Sequence, residues 1–148
     1  MPAATDILGA RILIVDDQQA NLRLLEYALR RAGYGGVAST TEPLGVSALH
    51  LQNHYDLIIL DLQMPHMNGF QVMEELARVE RGERVAILVL SADPAQMMRA
   101  LEAGAAGFLS KPFILAEVVL RVRQMLEKTL SRAVPKRLLA TAPAVRAA

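Results

Sequence analysis

Five chemically able side chains each follow a short apolar run. Asp16 and Asp17 close Arg11-Ile12-Leu13-Ile14-Val15, Asp61 closes Asp56-Leu57-Ile58-Ile59-Leu60, Ser91 closes Val85 to Leu90, and Lys111 follows Ala106-Gly107-Phe108-Leu109 with Ser110 between. If the first and third runs are neighbouring strands, the three carboxylates fall within several ångströms of one another. Two unit charges about 5 Å apart repel by roughly 3 kcal/mol at an effective dielectric of about 20. Three such pairs would take a sizeable share of the roughly 5–15 kcal/mol by which a domain is stable. One ammonium, Lys111, offsets part of that repulsion. A hard dication offsets the rest, and an all-oxygen site with room for water suits magnesium. Taken singly, each residue has an ordinary role: aspartate and serine cap helices and lysine is a solvated charge. Their joint occurrence at one end of one sheet points to a built site.

The elements that position these residues alternate along the chain. The apolar runs are short and nearly continuous, as expected of strands covered on both faces. Between them, Leu22, Leu25, Ala28, Leu29 and Ala32 recur at helical spacing until Gly33. Val37 to Thr40 reads as a weaker strand behind Gly35-Gly36, and Thr41-Glu42-Pro43 as the cap and start of a helix reaching about Asn53. Phe70 to Val79 reads as helix, Asp93-Pro94 opens another that ends near Gly104, and a last one runs from about Ile114 to Leu130. On that helix Val118, Val122, Met125 and Thr129 share a face. Five strands alternating with five helices predict an α/β parallel sheet with right-handed crossovers and helices on both faces. In such sheets, sites lie beyond the carboxyl ends of the strands, where the strand order reverses.

These residues carry a family resemblance. Ile12-Leu13-Ile14-Val15-Asp16-Asp17, Asp61-Leu62-Gln63-Met64-Pro65-His66-Met67-Asn68-Gly69, Leu90-Ser91-Ala92 and Lys111-Pro112-Phe113 resemble the receiver domain of two-component response regulators, in the same order and spacing over about residues 11–130. The resemblance implies a doubly wound, flavodoxin-like fold with strand order 2-1-3-4-5. It implies that Asp61 is the phosphoacceptor, taking a phosphoryl group from a phosphohistidine on a sensor histidine kinase or a histidine phosphotransfer protein. It further implies that Asp16, Asp17, Asp61 and the backbone carbonyl of Gln63 hold Mg2+, and that Ser91 and Lys111 contact phosphoryl oxygens. Phe108 corresponds to the aromatic that changes rotamer when the nearby hydroxyl moves. The Lys111-Pro112 bond corresponds to one usually cis in the family. Gln63 and Asp93 occupy positions that tune phosphoryl lifetime, and two polar side chains there imply a short-lived phosphorylated state. His66 stands where an acid often occurs. Phe113 through Leu126 is also similar to receivers that precede cyclic-di-GMP enzymes such as HD-GYP phosphodiesterases.

Other functions fit less well. An interaction module of the same fold that works without phosphoryl transfer would not need the acids, hydroxyl and lysine together. A magnesium-dependent phosphohydrolase of this topology would need a further acid two residues past the nucleophile, where Gln63 stands. The expected protein is therefore a signalling switch whose only catalysis is its own phosphorylation and dephosphorylation.

Composition bounds the setting. The 148 residues carry a formal charge of +1 and no cysteine, so neither a disulfide framework nor a thiolate zinc site is available. This balance gives no sign of direct nucleic-acid or membrane-surface binding. Apolar runs such as Ala86 to Leu90 are too short for a bilayer, and Asp6 interrupts any secretory pattern. A cytoplasmic domain is expected. Residues 1–10 read as a lead-in, 11–130 as the receiver, and 131–148, with four basic and no acidic side chains, as a flexible tail or linker. His50 and His54 are four apart but have no third ligand nearby. Met97 and Met98, adjacent on a helix, cannot both face inward, and the resemblance implies that they lie near the face, within residues 94–130, that receivers commonly use for partners or homodimers.

Overall fold

The computed structural model describes residues 7–80, 82 and 84–132. Most of the tail expected over 131–148 lies outside these residues, as do the first six residues. The strands are β1 (Arg11–Val15), β2 (Gly36–Thr40), β3 (Leu57–Asp61), β4 (Ala86–Ser91) and β5 (Gly107–Ser110). The helices are α1 (Gln19–Arg31), α2 (Val46–Asn53), α3 (Gly69–Val79), α4 (Met97–Glu102) and α5 (Leu115–Arg132). All strand pairings are parallel, in the order β2-β1-β3-β4-β5, as the resemblance implied. The chain turns outward one way from β1 and the other way from β3, so the reversal lies between these two strands.

Alternating side chains on each central strand face opposite ways and build two cores. Ile12, Ile14, Leu57, Ile59, Leu88 and Leu90 pack with Leu22, Leu25 and Leu29 of α1 and Val118, Val122 and Leu126 of α5. Leu13, Val15, Ile58, Leu60, Ile87 and Val89 pack with Val46 of α2, Val72 and Leu76 of α3 and Ala100 of α4. Full burial of each large aliphatic side chain is worth about 1.5–3 kcal/mol. Ile7 and Ala10, in the stretch read as a lead-in, are buried in the first core too.

Two helix starts differ from expectation. A 3-10 turn, Pro43–Gly45, precedes α2 with no side-chain cap, and Thr40 Oγ1, not Thr41, accepts the Glu42 amide at 3.0 Å. A second 3-10 turn, Pro94–Gln96, precedes α4, because Asp93 receives the Ala95 amide on its carboxylate and the Gln96 amide on its carbonyl. The α4 helix proper is thus only six residues long. No described helix is long and apolar enough to cross a membrane.

Candidate functional site

The strand register assembles the site. Val15 pairs with Leu60, so Asp16 and Asp61 emerge side by side at the carboxyl edge of the two central strands. Backbone hydrogen bonding continues past the strand ends: Leu62 N–H donates to Leu90 O at 3.1 Å and Lys111 N–H to Ser91 O at 2.7 Å. These bonds hold the loop after Asp61 beside β4 and the lysine beside the serine. The Lys111-Pro112 peptide is cis.

One carboxylate oxygen from each of Asp16, Asp17 and Asp61 lies within 4.8 Å of the other two. Asp16 and Asp61 are buried and Asp17 half-buried. Lys111 Nζ is 3.3 Å from Asp61 Oδ1 and 3.8 Å from Asp16 Oδ2. Burial pushes the Asp61 carboxyl above the ordinary range; the Gln63 amide and the Lys111 ammonium pull it back, and the charge of Asp16 adds to the rise. Three carboxylates against one ammonium leave a surplus matching one dication, and every donor is oxygen. The residues therefore fit a hard divalent cation.

The loop after Asp61 is held closely. Gln63 N–H donates to Asp61 Oδ1 at 3.2 Å, while the Gln63 side chain is exposed. Asn68 and Gln71 exchange side-chain and backbone hydrogen bonds in a capping box that starts α3. Gly69 lies so close to the strand end that a Cβ there would stand 2.7 Å from Leu62 Cδ2 and 2.9 Å from Asp61 O. His66 takes a left-handed φ of 37° and lines the cleft that Asp17 opens into.

Of the residues singled out from sequence, Asp16, Asp17, Asp61 and Lys111 come together directly. Ser91 is at the same edge but its hydroxyl is turned to Gln96 Oε1, donating at 2.6 Å. Phe108, on β5 opposite Val89, is half-buried against the second core. His50 Nδ1 accepts the Tyr55 amide at 3.2 Å and its Nε2 faces Glu80 at 3.5 Å. Met97 and Met98 are both exposed.

Sequence reasoning missed two polar residues. Asn21 Nδ2 donates to Asp16 Oδ2 at 3.2 Å, beside the Gln18 amide on Oδ1 at 2.9 Å. Gln96 holds Ser91. Each lies five residues past the strand-end group it contacts, at the start of the following helix, and that shared offset was the available signal.

The model of the response regulator receiver domain family matches residues 12–123, and the chain belongs to this family. The DNA-binding dual master transcriptional regulator RpaA of Synechocystis sp. is 37% identical over 121 residues, 80% of this chain and 50% of that protein. The transcriptional regulatory protein PrrA of Mycobacterium tuberculosis is 36% identical over 126 residues, 84% of this chain and 53% of its own length. The chain thus spans about half the length of these curated relatives. Among solved structures, the receiver domain of sensor histidine kinase PA1611 from Pseudomonas aeruginosa PAO1, with magnesium coordinated in its active site cleft, aligns with a TM-score of 0.72 at 29% identity, covering 80% of this chain and 98% of that one. The receiver domain of the Francisella response regulator 1452 shares the fold, with a TM-score of 0.70 at 22% identity over 82% of this chain and 99% of that one.

Proposed function

We propose that this chain is a phosphorylation-operated switch in which Asp61 accepts a phosphoryl group from a phosphohistidine on a sensor histidine kinase or a histidine phosphotransfer protein. The observation that carries the reading is the meeting of three carboxylates within 4.8 Å with a lysine 3.3 Å from one of them. Asp16, Asp17, Asp61 and the Gln63 carbonyl are the residues that would hold magnesium. When bound, that ion supplies positive charge against the phosphoryl oxygens. Asp61 presents a fixed carboxylate nucleophile, and its bond to the Gln63 amide leaves the other oxygen free to attack. Lys111 offers a second positive charge, and Ser91 a hydroxyl, to the transferred group. The nitrogen–phosphorus bond of the donor breaks as the Asp61 oxygen–phosphorus bond forms, and the imidazole keeps the electron pair.

Ser91 and Lys111 sit at the ends of β4 and β5, so drawing them toward Asp61 biases the surface built by α4, β5 and α5. Met97, Met98 and Leu101 are exposed there, available to a homodimer through residues 94–130 or to an output partner. Phe108 would change rotamer as the Ser91 hydroxyl moves. The exposed Gln63 and Asp93 side chains flank the phosphoryl position and would admit water, shortening the phosphorylated lifetime. Residues 11–130 act as the receiver, with 131–148 as tail or linker. The test is incubation with acetyl phosphate, with and without magnesium. Magnesium-dependent phosphorylation of wild type, and none in Asp61→Asn, is expected; equal labelling of both would refute the reading.

A further inference from the structure

The Ser91 hydroxyl is fully buried, and its proton is already engaged. It donates to Gln96 Oε1 at 2.6 Å, with Asp93 O a longer alternative acceptor at 3.4 Å, while its oxygen accepts the Asp93 amide at 3.1 Å. A serine hydroxyl has one proton to give. The O–H that would reach a phosphoryl oxygen on Asp61 must therefore first leave Gln96.

Gln96 also occupies a junction. It ends the Pro94–Gln96 turn, where its own amide donates to Asp93 O at 3.1 Å, and α4 begins at the next residue. One turn further on, the Arg99 guanidinium lies 3.9 Å from the ring centroid of Phe70, near the start of α3. Ala100, next to Arg99, is fully buried. The start of α4 is thus tied to the Ser91 hydroxyl, and its body to the helix that follows the Asp61 loop.

We propose that Gln96 is a positioning residue: it holds the Ser91 hydroxyl in the unphosphorylated arrangement and conveys release of that hydroxyl to the first turn of α4. The inference rests on Asp61 being the acceptor and Ser91 its hydroxyl partner. Because one hydroxyl proton cannot serve both Gln96 and a phosphoryl oxygen, the bond to Gln96 opposes the phosphoryl-bound state, and its removal favours that state. Release leaves the Gln96 carbonyl oxygen without its donor, which turns the side chain outward and loosens the 3-10 turn.

The probe is beryllium trifluoride, which with magnesium stands in for a phosphoryl group on a carboxylate. Its affinity is measured by titration calorimetry for wild type, Gln96→Leu and Gln96→Glu, and in a Ser91→Ala background. Gln96→Leu is expected to bind beryllofluoride about tenfold more tightly, equivalent to about 1.4 kcal/mol, with magnesium affinity unchanged. Gln96→Glu keeps an acceptor, strengthened by charge, and should bind no more tightly than wild type. In Ser91→Ala, the gain from Gln96→Leu should vanish. An unchanged or weaker affinity in Gln96→Leu, a gain in Gln96→Glu, or a gain that survives Ser91→Ala would overturn the proposal while leaving the Asp61 reading intact. Failure of wild type to take up beryllofluoride would overturn both.

Discussion

Lys111 Nζ stands 3.3 Å from Asp61 Oδ1 and 3.8 Å from Asp16 Oδ2, so one ammonium is shared by two buried carboxylates. Asp17 adds a third negative group within 4.8 Å of both. The three carboxylates exceed the one ammonium by two negative charges, which a bound dication would offset. Neutralising one carboxylate and filling the site with cation should therefore both stabilise the fold.

The first consequence concerns Asp61→Asn in metal-free protein. Burial holds the Asp61 carboxyl above its ordinary range, so its ionised form at neutral pH costs the folded state more than the unfolded one. Removing the charge should raise stability by about 1 kcal/mol, or about 4 °C in Tm. Thermal melts in chelator check this, and a lower Tm for the variant would mean that the Lys111 pairing outweighs the repulsion.

Magnesium should raise the Tm of wild type in proportion to the logarithm of its concentration. Above the dissociation constant, each tenfold increase adds about 1.4 kcal/mol. Asp17→Asn, at a half-buried position, should fold normally and lose most of this shift. Melts over a magnesium series report both.

Gly69→Ala probes the loop after Asp61. A Cβ there would sit 2.7 Å from Leu62 Cδ2 and 2.9 Å from both Leu62 Cα and Asp61 O, and two of these neighbours are backbone. The crowding should cost about 1–3 kcal/mol and slow phosphoryl uptake, since Asp61 must shift. Urea melts and labelling rates measure the two effects separately.

His50 gives the fold an acid sensitivity away from the site. Burial holds its imidazole below the ordinary pKa, against the opposing pull of Glu80. Its Nδ1 accepts the Tyr55 amide at 3.2 Å, and a proton there would set one N–H against another. The unfolded chain takes that proton first, so stability is full above about pH 6.5 and falls as pH drops below it. Urea melts should show this decline from pH 7 to 5.5 in wild type and a flatter profile in His50→Gln.

The apolar runs of β1, β3 and β4 were legible because strands buried on both faces need continuous aliphatic residues, and Asp16, Asp61 and Ser91 follow them directly. β2 was faint: Gly36 begins it, and its residues are mostly half-buried, so it exists by pairing with β1 from Arg11↔Gly36 to Val15↔Thr40. The 3-10 turn ahead of α4 was not legible, since it depends on Asp93 receiving both the Ala95 and the Gln96 amides. Asn21 and Gln96 escaped notice for a related reason. An uncharged amide in a first helical turn is an ordinary surface residue until the sheet brings a buried acceptor or hydroxyl within reach.

The chemistry of the Asp61 carboxylate is decisive. Wild type treated with acetyl phosphate and magnesium, then reduced with borohydride and digested, should yield a peptide in which Asp61 has become homoserine, after a mass gain of about 80 Da on the intact chain. The product should be missing when magnesium is chelated and in Asp61→Asn. An intact Asp61 peptide from protein that has gained the phosphoryl mass would contradict the assignment.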